Sequence, residues 1–304
     1  MLHTPVLLQE VMEGLDIPKK SIVVDATVGS GGHSEAMLQR FGADITLIGL
    51  DRDHDSLERS RERLEPLAPK IFLFQTNFRY MEYLLRDKGF VGVDRVLFDL
   101  GWSSDQFEES GRGFSFQKDE PLVMTFEKYE NGESGEVTAR MIVNDWKEET
   151  LADILWGFGE ERYAKRIARA IVAERAIKPI ETTFDLVRII NHATPSLYHH
   201  RKIHFATKTF QALRIAVNEE YKSLEEGLRG AWNILLESGR IAVISFHSGE
   251  DRIIKRFFKE REKEGGAIII TKKPIVPSRE EQKENRRARS AKLRIISKVS
   301  ERPS

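Results

Sequence analysis

The residues best equipped for chemistry are three acids that each close an apolar run, Asp25, Asp51 and Asp99, and the glycines beside the first of them. The stretch "SIVVDATVGSGGHSEA" (21–36) carries Asp25, then Gly29, Gly31 and Gly32, then a helix-like pattern. This is the reading of a nucleotide-binding strand–loop–helix unit. Glycine permits positive φ and close approach of backbone to a ligand. The N–H groups that open the following helix favour negative charge. Asp51 stands where a carboxylate can accept both hydroxyls of a ribose. A dinucleotide fingerprint asks for a further glycine at position 34, but Ser34 occupies it, so pyrophosphate and other ligands both stay open. One strand-ending acid is as readily a helix cap or a solvated strand end. Three around one glycine loop favour a site, with Asp99 facing the same crevice.

These residues need a scaffold, and the first hundred positions supply an alternation. "SIVVDAT", "DITLIGLD", "KIFLFQTNF" and "VDRVLFDLG" read as strands; "HSEAMLQRF", "DSLERSRERLEPL" and "RYMEYLLRDKG" read as helices. Such alternation implies a parallel sheet with helical crossovers, and continuous apolar strands agree with a sheet covered on both faces. From about 107 to 204 no convincing strand is found. Helical patterns dominate there, and Thr182 or Thr183 is an N-cap with Asp185 behind it. "HFATKTFQALRIAVNEEYKSLEEGLRGAWNILLESG" is expected as one long or broken helix ending at Gly239. "GRIAVISFHS" then forms a strand, "GEDRIIKRFFKERE" an amphipathic helix, and "GAIIITKKPIV" and "AKLRIISKVS" two late strands. The expected organisation is an α/β domain made of 1–106 and 205–304, interrupted by a helical insertion at 107–204. Ligands in such sheets bind beyond the carboxyl ends of the strands.

Bulk properties exclude several classes. The 304 residues suffice for a sizeable core, and a formal net charge of +0 names no partner by itself. With no cysteine there are no disulfides, thiolate metal sites or cysteine nucleophiles. No His/Asp/Glu cluster suggests a metal. The start "MLHTPVLLQEV" lacks the basic and apolar regions of a signal peptide, and no apolar run reaches membrane-spanning length. A cytoplasmic protein is expected.

The motif "DATVGSGGHS" resembles the first motif of S-adenosylmethionine-dependent methyltransferases, in the D-x-T-x-G-x-G-G-H-S form of the 16S rRNA (cytosine-N4)-methyltransferase (MraW) family. "HTPVLLQEV", "GLDRD", "DLGWSSDQF", "RGFSF", "EPLVM", "GEERYAKRIARAIV", "HFATKTFQALRIAVNEE", "ISFHSGEDRIIKRFF" and "NRRARSAKLRI" match in order, over essentially the whole chain. The resemblance implies a class I (Rossmann-like) S-adenosylmethionine-dependent methyltransferase sheet with an inserted helical substrate-recognition domain. It implies Gly31, Gly32 and His33 at the methionine end of the cofactor, Asp51 on the ribose, Phe78 beside the adenine, and Asp99 and Gln106 completing the site. The chemistry implied is direct in-line methyl transfer to the exocyclic amine of a cytosine in the decoding region of 16S rRNA, in the 30S subunit. That amine is a poor nucleophile, so the enzyme helps by positioning and by accepting a hydrogen bond as the nitrogen pyramidalises. Asp99 or the adjacent backbone is the candidate acceptor.

Four departures from the family pattern stand out. Trp102 replaces the usual valine and either stacks on the target base beside Ser103 and Ser104 or fills a pocket. The family's "PLDMRMD" is Pro121–Glu127 here, with Val123 and Thr125 in place of an acid and an arginine. Gly249 replaces the leucine of "FHSLED", and Arg286 the proline of "NPRARS". RNA binding calls for basic clusters. Acid-free runs at 199–214 and 285–298, and Arg162, Lys165, Arg166 and Arg169 in the insertion, are candidates. Arg286, Arg287 and Arg289 are the favoured phosphate contacts, which position RNA without reading its sequence. Two other readings compete: a nucleotide-dependent oxidoreductase, and a non-catalytic RNA-binding or assembly factor. A homodimer is left open.

Overall fold

Strands β1 (Ile22–Asp25), β2 (Thr46–Asp51), β3 (Ile71–Gln75), β4 (Val93–Asp99), β5 (Leu235–Ser245), β6 (Ala267–Ile269) and β7 (Lys292–Lys298) form one seven-stranded sheet in the order β3-β2-β1-β4-β5-β7-β6. The computed structural model describes residues 5–101, 110–126, 137–200 and 203–300. The first five strands pair in parallel, as the alternation predicts, while β7 runs antiparallel between β5 and β6. The chain divides into two units, Met1–Trp102 with Tyr221–Ser304, and Ser103–Glu220.

In the first unit the strand period of two sorts neighbouring residues to opposite faces. Val23, Leu47 and Leu97 pack under α1 (Leu8–Leu15), α2 (Gly32–Phe41) and α3 (His54–Leu64). Val24, Ile48 and Phe98 pack against α4 (Met81–Asp87), α11 (Glu220–Ile234) and α12 (Ser248–Lys263). A short α13 (Arg279–Glu284) precedes β7. Both faces are covered, so the central strands are largely apolar. Buried Arg95 on β4 donates from Nη2 to the Asp16 carbonyl (2.7 Å) and so satisfies the chain just past α1.

The second unit holds α5 (Ala139–Asp145), α6 (Glu148–Gly157), α7 (Ala164–Arg175), α8 (Thr183–Ala193), α9 (Ser196–His199) and α10 (Thr207–Val217) around their own core. Among its described residues there is no strand, only an isolated bridge between Pro121 and Thr182. Thr182 caps α8 through a reciprocal box with Asp185. The departing loop is packed in: Leu122, Met124 and Thr125 are buried, Arg112 Nη1 donates to the Thr125 and Phe126 carbonyls, and Asn218 Nδ2 donates to the Met124 carbonyl.

Two expectations need revision. The stretch from 204 to 239 is the broken form of the two expected, but it does not run as helix to Gly239. It breaks at Asn218–Glu219, where Glu219 takes φ 48°, and α11 stops at Ile234. Gly239 ends no helix; with Ser238 (φ 62°) it lies in an irregularity of β5, between the Val93–Leu235 and Arg95–Arg240 pairings. The two compact units join at Trp102/Ser103 and at Glu220/Tyr221, where the expected organisation has 106/107 and 204/205. Phe210, Ala212 and Leu213 of α10 are buried in the insertion core with Ile154 and Leu155, and this tertiary packing holds α10 to the second unit.

Candidate active site

All three strand-ending acids belong to the first unit, on the adjacent strands β2, β1 and β4. Asp25 is buried, and the Ser34 hydroxyl donates to its Oδ2 at 2.7 Å. Burial pushes the Asp25 carboxyl up to about 6, while the bond from Ser34, the neighbouring His33 and the Thr27 N–H pull the other way. Ser34 therefore has a function that a glycine would forfeit: it satisfies a buried acid. The Asp25–Ser34 pair is the residue set that sequence reasoning missed as a unit. Its signal was there, a hydroxyl nine residues after an acid that closes a buried strand.

The loop between them is shaped by packing as well as by φ. Gly29 and Gly31 take φ 52° and 81°, a left-handed region open to glycine at little cost. A Cβ at Gly32 would lie 2.7 Å from Pro5 Cγ. From α3, Ser60 Oγ donates to the Gly29 carbonyl and Arg63 Nη1 to the Ser30 carbonyl.

Half-buried Asp51 accepts from the Gly29 N–H at 2.8 Å and from the Asp53 N–H at 2.9 Å. A carboxylate offers about four lone-pair sites, so capacity remains for a vicinal diol. Burial pushes its carboxyl up to about 6, against the Asp53, Gly29 and Arg52 N–H groups. The donor and acceptor chemistry fits the ribose of a nucleoside cofactor.

His33 and Asp99 form the most suggestive contact. His33 Nε2 lies 3.0 Å from the Val6 carbonyl, and Nδ1 lies 3.4 Å from Asp99 Oδ2. A carbonyl only accepts, so Nε2 carries hydrogen. Nδ1 of the neutral ring then points a lone pair at a carboxylate oxygen, an arrangement that one shared proton makes favourable. Burial lowers the imidazole's proton affinity, while the Asp25 charge raises it. The protonation of Asp25 and that of His33 thus depend on each other, and the Asp99 charge acts on Asp25 as well. Asp99 is held in place by its own N–H donating to Thr27 Oγ1 (2.7 Å), and its Oδ1 accepts from Gly101 N–H (3.1 Å).

Phe78 opens a short 3-10 turn after β3. One edge packs on Phe98, with ring centroids 5.4 Å apart, and the Gly227 position on α11 has no room for a Cβ beside it. The residue stays partly exposed, so it serves the core and still offers apolar surface. Gln106, Trp102, Ser103 and Ser104 lie outside the described residues. In the 3-10 turn Arg286–Ser290, Arg286 and Arg289 are exposed and Arg287 partly so, around the buried Ala288.

The other basic runs are partly structural. Lys292 and Arg294 pair with Asp251, and Lys298 Nζ donates to the Trp232 and Leu235 carbonyls. In the run at 199–214, Arg214 pairs with Glu220, Lys208 Nζ donates to the Glu160 carbonyl, and His204 stacks on Phe116 at 4.5 Å. Burial and His199 hold the His204 imidazole below its ordinary proton affinity.

The departure at Gly249 has a local cause. A Cβ there would lie 1.8 Å from the Tyr221 hydroxyl, so the tyrosine of α11 occupies the space a side chain at 249 would need. Among the described residues, no helix is long and apolar enough to cross a membrane.

The chain as a whole is similar to known proteins. Curated relatives named "Ribosomal RNA small subunit methyltransferase H" include those of Carboxydothermus hydrogenoformans (44% identical, 98% of each chain covered), Heliobacterium mobile (43%, 98% of this chain and 99% of the relative) and Brevibacillus brevis (40%, 98% of each). Among solved structures, an rRNA methylase from Streptococcus thermophilus aligns over 99% of both chains at 11% identity, with a TM-score of 0.45. The model of the MraW methylase family matches residues 1–299. The chain therefore belongs to the MraW methylase family, and it is a methyltransferase with S-adenosylmethionine as its methyl donor.

Proposed function

We propose that this protein methylates the N4 amine of a cytosine in 16S rRNA of the small ribosomal subunit, by direct in-line transfer. Relatives at 40–44% identity named as small-subunit rRNA methyltransferases support the substrate class. The observation that carries the mechanism is the His33–Asp99 contact at the carboxyl end of β4.

Bound S-adenosylmethionine supplies a methyl group activated by its sulfonium. Asp51 accepts the ribose hydroxyls through the lone pairs that Gly29 and Asp53 leave free. By the family resemblance Gly31, Gly32 and His33 would hold the methionine end and Phe78 the adenine, with Gln106 as a further cofactor residue. Asp99 accepts a hydrogen bond from the cytosine amine and so aligns its lone pair. Once methylated, the nitrogen carries one surplus proton. Asp99 Oδ2 takes it and shares it with His33 Nδ1, whose tautomer the Val6 carbonyl has already set. Trp102, Ser103 and Ser104 meet the base, Arg286, Arg287 and Arg289 contact phosphates, and the helical insertion recognises the RNA.

The test is mass-spectrometric mapping of N4-methylcytosine in rRNA from cells with and without the gene, with methyl transfer to purified small subunits by the isolated protein. Loss of one N4-methylcytosine on deletion, restored by the protein, is expected. An unchanged methylcytosine map refutes the assignment.

A further inference from the structure

The amphipathic helix α12 was predicted from sequence for its buried face; its solvent face has a separate character. Ile253, Ile254, Phe257 and Phe258 are buried, which fixes the rotation of the sixteen-residue helix about its axis. Arg252, Lys255, Arg256, Lys259 and Lys263 are all exposed. At 3.6 residues per turn they share an arc of roughly 100°, with Glu260 and Glu262 only at its two edges. The same five cations, with Glu260, line one shallow open recess along the helix. Arg256 is bridged to Glu225 of α11. Lys255, Lys259 and Lys263 form an i, i+4, i+8 row that rises about 6 Å per step, a spacing of the same order as that of successive phosphates in a nucleic-acid strand.

Position adds to composition. α12 begins three residues after β5, at the strand ends where Asp99 and its neighbours stand, and it runs away from them. Arg252 is therefore nearest the catalytic edge, and Lys263 lies about 16 Å further along the helix. In a chain of zero net charge, a row of cations of one sign that leads from the reacting edge suits a polyanion engaged at that edge.

We propose that the basic face of α12 is a docking track for the RNA backbone, holding the strand that flanks the target nucleotide through phosphate contacts. The proposal rests on the RNA-methyltransferase reading above. Its contacts are independent of sequence, so they position the substrate and leave base choice to the catalytic edge.

The experiment uses the full chain with Lys255, Lys259 and Lys263 changed to Gln, in filter binding to an in-vitro transcript of small-subunit rRNA across a salt series. Three lost phosphate contacts should reduce the slope of log affinity against log salt by about 2 for single-stranded RNA. Binding to an unrelated RNA of equal length should weaken in parallel. Thermal midpoint and S-adenosylmethionine affinity should stay at wild-type values, since the three side chains are exposed and away from the cofactor residues. An unchanged salt slope in a folded, cofactor-binding variant overturns the track and leaves the methyltransferase reading standing. If wild-type protein neither binds the transcript nor methylates small subunits, both fall together.

Discussion

Replacing Ser34 with Ala tests whether the glycine loop is built around a buried, ionisable acid. The Ser34 hydroxyl donates to Asp25 Oδ2 at 2.7 Å, and the other donor, Thr27 N–H, reaches Oδ1 at 3.3 Å. Both Ser34 and Asp25 are buried, so water does not replace the lost donor. A hydrogen bond to a charged group contributes about 1.5–3 kcal/mol, and one between neutral groups about 0.5–1.5 kcal/mol. Asp25 titrates at about 6 in the folded protein, against an ordinary 3.8. At pH 8 it is ionised, and the substitution should cost about 2 kcal/mol. At pH 4.5 it is protonated, and the cost should be about 1 kcal/mol. The difference of about 1 kcal/mol moves the Asp25 titration up by about 0.7 of a pH unit. The sign follows from proton counts. Between 3.8 and about 6 the folded chain holds a proton on Asp25 that the unfolded chain has released, so stability falls as pH rises through that window. In the variant the fall continues to higher pH. Any gain from alanine's better helix propensity in the first turn of α2 is independent of pH, so the comparison between pH values isolates the acid. Urea unfolding of both proteins at pH 4.5 and 8 reads the effect directly. Equal destabilisation at the two pH values would refute the reasoning, as would a variant as stable as wild type.

Further outcomes follow from the same geometry. Asp51→Ala should weaken S-adenosylmethionine binding about 10–100-fold by calorimetry, the loss of one or two charge-assisted hydrogen bonds. With its carboxyl near 6, wild-type affinity should fall as pH drops from 7 to 5; a flat pH profile counts against Asp51 on the ribose. Asp99→Ala should abolish turnover in methyl transfer to small subunits, and normal turnover would remove Asp99 from the mechanism. Gly249→Leu should cost about 1–3 kcal/mol through overpacking against Tyr221, and Tyr221→Ala should relieve much of that cost; additive effects would show the two sites are uncoupled. Neutralising Arg286, Arg287 and Arg289 should lower RNA affinity and flatten its salt dependence, and unchanged affinity excludes that turn as an RNA contact.

Much of this molecule is readable locally. The apolar runs ending in Asp25, Asp51 and Asp99 are strands because burial on both faces of a parallel sheet leaves no polar alternation. The α8 start is readable because Thr182 and Asp185 need only each other. What resisted was decided by partners distant in the chain. The helical pattern from 204 reads on to Gly239, yet the chain enters β5 at Leu235, because pairing with β4 outweighs local preference. Likewise, α10 and α11 are close in sequence but bury their apolar faces in different cores.

The sequence by itself determined the family, the ligand class and the candidate residues of the site. Residue type and spacing set which groups can accept a diol, approach a tail closely, or hold a proton, and those properties travel with the motif. Tertiary structure alone decided the states of those groups. The hydrogen on His33 Nε2 follows from a carbonyl 27 positions away, and the raised proton affinity of Asp25 and Asp51 follows from burial. The tolerance for Gly249 follows from Tyr221 on a neighbouring helix. Each depends on distance and on exclusion of water, which exist only once the chain has folded. Ser34 joins the two levels. In the sequence it is a missing glycine, and in the fold it is the donor that satisfies a buried acid beside the glycine loop.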